Sequence, residues 1–250
     1  MPKNVRYPHV MLRALAAAAL VASLPGAAQA ATPQYSTGSR LHAPTATRSW
    51  TGRLLVPTSF RTTPSLSAKV VVTLQPVAPL AHGATSLLVT GTRRVKGVLW
   101  VRVLLPVRPN GTQGWARADA FRFVSTALRV LIDQSDRRLT LFRRGRPIMR
   151  VPVAIGTSAT PTPTGKFAVA EMIRTHTPGA FLGPVVFPLT GYSRVLNEYA
   201  GGNGRVAMHG TSLPRLIGTR ASHGCIRIHN SNVARLSRLV RPGVPVTIRL

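Results

Sequence analysis

From about Ala68 the chain breaks into short apolar runs: Val70-Val71-Val72-Thr73-Leu74, Leu87-Leu88-Val89 and Val98 to Leu105. Runs this short and β-branched, bounded by Gly83, Gly91, Gly97 and Pro106, predict strands. Pro109-Asn110-Gly111 predicts a turn joining the Trp100 strand to Gly114-Trp115-Ala116. Five short strands within residues 68–124 predict a small β-barrel. A second β-rich region starts at about Ala127. Leu128 to Ile132 alternates, turns over Asp133 to Asp136, and returns as Leu139-Thr140-Leu141-Phe142. Arg144-Gly145-Arg146 is the next turn, Ile148 to Ile155 the next strand, and Thr160 to Gly165 a rigid loop before Phe167-Ala168-Val169. One helix is predicted near the end, capped by Asn230 or Ser231, with Val233, Leu236 and Val240 on one face. Arg241-Pro242-Gly243 stops it and Val244 to Leu250 closes the sheet. The reading is a mainly β fold of two parts, 68–124 and 127–250, without internal repeats.

Between Met172 and Gly202 periodicity fails for about 30 residues, long for a plain connection and predicting a lid. Phe181 and Tyr192 are its candidate ligand contacts, with core packing the alternative use for each. Upstream, residues 31–67 are rich in Thr, Ser and Pro and read as a flexible tether. Residues 1–30 read as a secretory signal. Lys3, Arg6 and Arg13 precede the apolar run Ala14 to Leu24, and Ala28-Gln29-Ala30 offers a small-x-small cleavage site. That run is too short to span a bilayer, which needs about 20 residues.

Charge changes the picture of partners. Of 250 residues, 33 are basic and 5 acidic, a formal charge of +28, and cleavage after Ala30 removes three basic residues to leave +25. A chain this basic is drawn to polyanions. An export signal makes these anionic wall polymers or the membrane surface; no nucleic acid is expected. The location expected is the cell envelope, the wall or the extracellular space.

The single cysteine, Cys225, cannot form an internal disulfide, and an unpaired exported thiol needs burial or a task. Its surroundings point to a task. Ala221-Ser222-His223-Gly224-Cys225-Ile226-Arg227 follows by sixteen residues the His209 that ends Val206-Ala207-Met208-His209-Gly210-Thr211. A thiol is a strong nucleophile at neutral pH only beside an imidazole that takes its proton or stabilises the thiolate. His209 and His223 are both candidates for that role. Gly224 removes a side chain next to the nucleophile, and the N–H groups of Gly224 and Cys225 can face an oxyanion. A zinc site from His209, His223, Cys225 and His229 is disfavoured, because the helical and CxxC ligand spacings are absent.

The His-Gly-Thr strand end paired with Ser-His-Gly-Cys-Ile-Arg resembles the L,D-transpeptidase (YkuD-type) family. The likeness runs over residues 127–250 and includes the Pro163-Thr164-Gly165 loop. Residues Val98 to Ala118, with Trp100 and Trp115 flanking the turn, loosely resemble bacterial SH3-like domains, which extends the expectation to an SH3-like barrel ahead of a transpeptidase β-sandwich. The resemblance implies Cys225 as nucleophile and His209 as its base, with His223 and Gly224 on the pocket and oxyanion side. Thr211 carries the hydroxyl nearest the base, and Arg227, Thr211, Ser222, Tyr192 and Phe181 are the expected substrate contacts. Many members carry Asn where this chain has Arg227, a departure that touches substrate detail and not the reaction class.

The implied reaction needs no metal or organic cofactor. Cys225 attacks the carbonyl of the third residue of a peptidoglycan stem tetrapeptide, D-alanine leaves, and the side-chain amine of a neighbouring stem resolves the thioester into a third-to-third cross-link. Two alternatives remain at this level: an L,D-carboxypeptidase in which water resolves the thioester, and a wall-binding protein with an idle catalytic half.

Overall fold

The computed structural model describes residues 41–175, 179–198 and 202–250. The expected signal, residues 1–30, lies outside them, as do residues 31–40 of the expected tether. The rest of that tether, residues 41–67, holds two strands. β1 (Ser49–Leu54) and β2 (Thr58–Arg61) sit inside it and begin a sheet with β3 (Val70–Leu74), β4 (Ser86–Val95), β5 (Val98–Leu104), β6 (Gln113–Arg117) and β7 (Phe121–Thr126). The physical reason is three apolar side chains diluted among Thr, Ser and Pro. Trp50, Leu54 and Phe60 all enter the core, alongside Val101, Val103 and Phe121. Gly52 lets β1 lie under an aromatic ring, where a Cβ would stand 2.8 Å from Phe121 Cδ1. Instead of five strands within 68–124, seven strands from Ser49 to Thr126 run in the order β3-β2-β6-β5-β4-β1-β7. Trp100 is buried in this unit, while Trp115 is half-buried under the Arg102 guanidinium, 5.5 Å from its ring centre.

The remainder contains β8 (Leu128–Asp133), β9 (Arg138–Arg143), β10 (Arg146–Pro152), β11 (Ile155–Gly156), β12 (Gly165–Ala168) and β13 (Ile173–Arg174). There follow β14 (Val185–Tyr192), β15 (Arg205–His209), β16 (Arg220–Ser222), β17 (Ile226–Arg227), helix α1 (Asn230–Leu239) and β18 (Pro245–Arg249). One sheet has the order β10-β9-β8-β18-β12 and another β13-β14-β15-β17, with β11 and β16 paired in parallel beside them. Their inner faces share one core that includes Ile132, Leu141, Phe167, Phe187, Met208 and Ile226, closed by Val233 and Leu236 of α1. Each such side chain, fully buried, stabilises the fold by about 1.5–3 kcal/mol.

The expected lid is half core. All eight residues of β14 are buried, because it is paired on both edges and packed on its face, and such strands lose alternation. Gly191 in β14 serves packing, since a Cβ there would meet the Phe167 ring at 2.5 Å.

Tyr192, at the end of β14, joins the two sheet regions. Asn110 from the β5–β6 loop makes a two-point contact with its backbone: Nδ2 donates to Tyr192 O and Oδ1 accepts from Tyr192 N, both at 2.8 Å. The Tyr192 hydroxyl donates to Pro106 O at 2.6 Å and accepts from the Arg205 guanidinium at 2.7 Å. The predicted turn residue Asn110 thus also serves as a joint.

Candidate active site

Parallel pairing of β15 with β17 builds the site. The register sets Met208 beside Ile226 and His209 beside Arg227, so Cys225, one residue before β17, arrives next to the end of β15. Parallel neighbours need a crossover of a dozen or more residues, and the sixteen-residue spacing from His209 to Cys225 supplies it. The Ile228 N–H donates to His209 O at 2.8 Å and ties the strand ends together. On its other edge Arg227 exchanges both backbone hydrogen bonds with Ala154 at 2.9 Å.

The turn before Cys225 is held from within and from below. The Ser222 hydroxyl donates to Cys225 O at 2.6 Å and accepts from Gly224 N at 3.1 Å. Gly224 has φ +112°, where a side chain is strained. Beneath it, Thr162 Oγ1 donates to Gly224 O at 3.0 Å and accepts from Gly156 N at 2.9 Å. Thr160 Oγ1 donates to Ser222 O at 3.2 Å. The loop read from sequence as rigid is therefore a clamp on the cysteine turn. Gly156 permits its close approach, because a Cβ there would collide with Thr160 O.

His209 is buried, with 2% of its surface exposed. Its Nδ1 lies 2.6 Å from Gly210 O. A carbonyl can only accept, so Nδ1 carries the proton and Nε2 keeps its lone pair when the ring is neutral. Burial lowers the imidazole pKa to about 4, with the Arg227 charge adding to the fall and the Gly210 and Leu182 carbonyls opposing it. Cys225 is partly accessible, yet protein crowds its thiol and burial pushes its pKa up. The Ala207 N–H and the Arg227 charge pull the other way. Both shifts favour the uncharged thiol and uncharged imidazole at neutral pH.

The strand ends open on a cleft of about 710 Å³ lined by His209, Cys225, His223, Ser222, Arg227 and Phe181, among others. Arg227 is 5% exposed and makes no ion pair among the described residues, although it faces this cleft. Phe181 covers it: the ring centre lies 5.0 Å from the guanidinium carbon and 6.5 Å from the His209 ring centre. His223 is exposed at the rim.

Three sequence-predicted residues are elsewhere. Tyr192 is sealed in the joint between the sheets, its hydroxyl fully engaged. Thr211 is buried: its hydroxyl accepts from Leu213 N at 2.9 Å and its own N–H donates to Asn230 Oδ1 at 2.8 Å. Gly224 N–H is bonded to Ser222 and so is not aimed at an oxyanion. Ser222 does line the cleft, but its hydroxyl is spent on the turn.

Sequence reasoning missed Thr162, Thr160 and Asn230. The sequence predicts Asn230 or Ser231 as the cap of α1; the cap is His229, without a side-chain bond, and Asn230 instead fixes the chain beyond His209. Its amide fits because Gly183 and Gly210 leave room, where a Cβ on either would collide with Asn230 Oδ1. The repeated Thr-Pro of 160–165 was the one available signal for the clamp. Among the described residues no three His, Cys, Asp or Glu side chains converge as a metal site.

The family model of the YkuD L,D-transpeptidase catalytic domain matches residues 127–248. Two proteins provisionally designated L,D-transpeptidase YkuD are similar to this chain. That of Bacillus licheniformis is 33% identical over 48% of this chain and 64% of its own length. That of Bacillus subtilis is 36% identical over 44% of this chain and 58% of its own. The chain thus spans less than two thirds of either relative. A crystal structure of an L,D-transpeptidase from Mycobacterium tuberculosis aligns over 79% of this chain and 81% of that one, at 16% identity and a TM-score of 0.42. The turn that bears Cys225, the strand that bears His209 and the core beneath them all fall within residues 127–248, the part of the chain that matches the L,D-transpeptidase catalytic domain of the YkuD family.

Proposed function

We propose that this chain is an exported peptidoglycan L,D-transpeptidase in which Cys225 is the nucleophile and His209 the general base. The observation that carries the reading is a buried imidazole, its Nδ1 proton held by Gly210 O, opening with the only cysteine of the chain onto one cleft.

In the resting state both groups are uncharged, so the proton leaves sulfur as attack proceeds. Sγ bonds to the carbonyl carbon of the third stem residue while His209 Nε2 takes the thiol proton. The C–N bond to D-alanine then breaks, and its amine leaves with that proton. A thioester on Cys225 results. The acceptor amine attacks the thioester carbon and gives a proton to Nε2, and the proton returns to sulfur as the thiolate leaves. Positioned acid–base groups of this kind contribute about 10²–10⁴-fold.

The Cys225 N–H makes no hydrogen bond to another described residue and is the backbone donor suited to the oxyanion. Arg227, buried, charged and without a carboxylate partner among the described residues, suits a donor carboxylate, which guanidinium grips by two parallel bonds. The reading of residues 1–30 as an export signal and the remaining charge of +25 support action at the envelope, on stem peptides embedded in anionic polymer.

The test is to incubate the chain without residues 1–30 with a disaccharide tetrapeptide and to weigh the products. A cross-linked dimer lacking one alanine supports the transpeptidase. A tripeptide alone makes it a carboxypeptidase, and the absence of both products refutes the reading.

A further inference from the structure

The upstream sheet does more than sit beside the catalytic domain. We propose that it forms part of the substrate site: Pro79 and Leu80 supply one wall of the cleft and contact the stem peptide, and Arg108 positions a second wall. This rests on the transpeptidase reading above.

Pro79 and Leu80 belong to a turn after β3, yet they line the same cleft as Cys225 and His209. The turn is held at both ends. Ala78 N donates to Gly83 O at 2.7 Å, and His82 N donates to Ala78 O at 3.1 Å. The catalytic domain also holds its tip. Glu171, 3% exposed, accepts at Oε2 from Leu80 N at 2.9 Å and Ala81 N at 2.7 Å. Its other oxygen lies 3.5 Å from the Arg205 guanidinium. A buried carboxylate spent on two backbone N–H groups of another sheet is costly unless the contact is kept. Leu80 itself is 52% exposed, an apolar side chain that lines the cleft together with Ile173, Leu182 and Val186. Methyl and methylene groups of a peptide stem fit such a wall.

The second wall comprises Ser193, Leu196, Asn203 and Gly204. Arg108, from the loop between β5 and β6, donates to three carbonyls of this segment: Ser193 O at 2.8 Å, Leu196 O at 3.0 Å and Asn203 O at 3.2 Å. One planar guanidinium gathers three carbonyls of the segment, a geometry that lysine does not reproduce.

The experiment compares Leu80→Ser, Arg108→Ala and wild type on the disaccharide tetrapeptide, with Cys225 alkylation by iodoacetamide as a measure of the bare thiol. Leu80→Ser is expected to raise KM about fivefold, the loss of part of one leucine's burial, and Arg108→Ala to raise KM as the second wall loses its three hydrogen bonds, with kcat within about twofold and alkylation unchanged in both. Unchanged KM in both variants, or a fall in kcat at constant KM, overturns the inference while leaving a working wild type intact. No product from the wild type overturns the transpeptidase reading and the inference with it. Should Arg108→Ala fail to fold, Leu80→Ser at its exposed position still decides.

Discussion

Lowering the pH should destabilise this protein through one buried ring. The perturbation is acidification, with His209→Gln as the variant that cannot titrate. In the folded chain His209 has a pKa of about 4 against an ordinary 6.5. Above 6.5 the ring is neutral in both folded and unfolded chains and contributes no pH dependence. Between 6.5 and 4 the unfolded chain binds a proton that the folded one refuses, so stability falls as pH falls. The slope is about 1.4 kcal/mol per pH unit, since one pKa unit is worth that much. From pH 7 to pH 5 the loss is about 2 kcal/mol, and below pH 4 it levels off at about 3 kcal/mol. Urea unfolding of both proteins at half-unit steps from pH 7 to 4.5 measures it, because groups common to both cancel in the difference. The two curves should converge or cross as pH falls. Parallel curves would mean that His209 titrates normally, and an imidazole proton NMR midpoint near 6.5 would say the same directly.

Two further outcomes follow from the site. Thr162→Val keeps shape but strands Gly224 O and Gly156 N, so unfolding free energy should drop by about 1–3 kcal/mol, and kcat should fall as the Cys225 turn loosens; unchanged kcat at full stability would remove the clamp from the account. Arg227→Lys keeps the charge and loses the fork, so use of a tetrapeptide donor should weaken more than acylation by a small carbapenem; equal losses would mean that Arg227 shapes the turn itself.

What the sequence made legible was local. The alternation from Leu128 to Phe142 is a hairpin in the structure, β8 with β9, in the register of consecutive residues. His209 and Cys225 could be paired on paper because each sits in a short, chemically distinctive string. What escaped was set by contacts distant along the chain. β1 and β2 looked like tether because three apolar side chains among many Thr, Ser and Pro give no period. β14 showed no alternation because it is buried on every side. Tyr192 and Asn110 meet across 82 positions, and no local pattern marks such a pair. Thr162, Asn230 and Ser222 have ordinary side chains whose worth lies in which carbonyl or amide they reach. The direction of the Gly224 N–H, likewise, follows from a single bond to Ser222.

The central claim is that Cys225 carries the acyl group. The direct measurement is to mix the chain without residues 1–30 with excess disaccharide tetrapeptide, quench in acid, digest, and map the adduct by mass. The account predicts donor minus alanine on the peptide containing Cys225, and no adduct or turnover in Cys225→Ala. An adduct on another residue, or turnover that survives in Cys225→Ala, would contradict it.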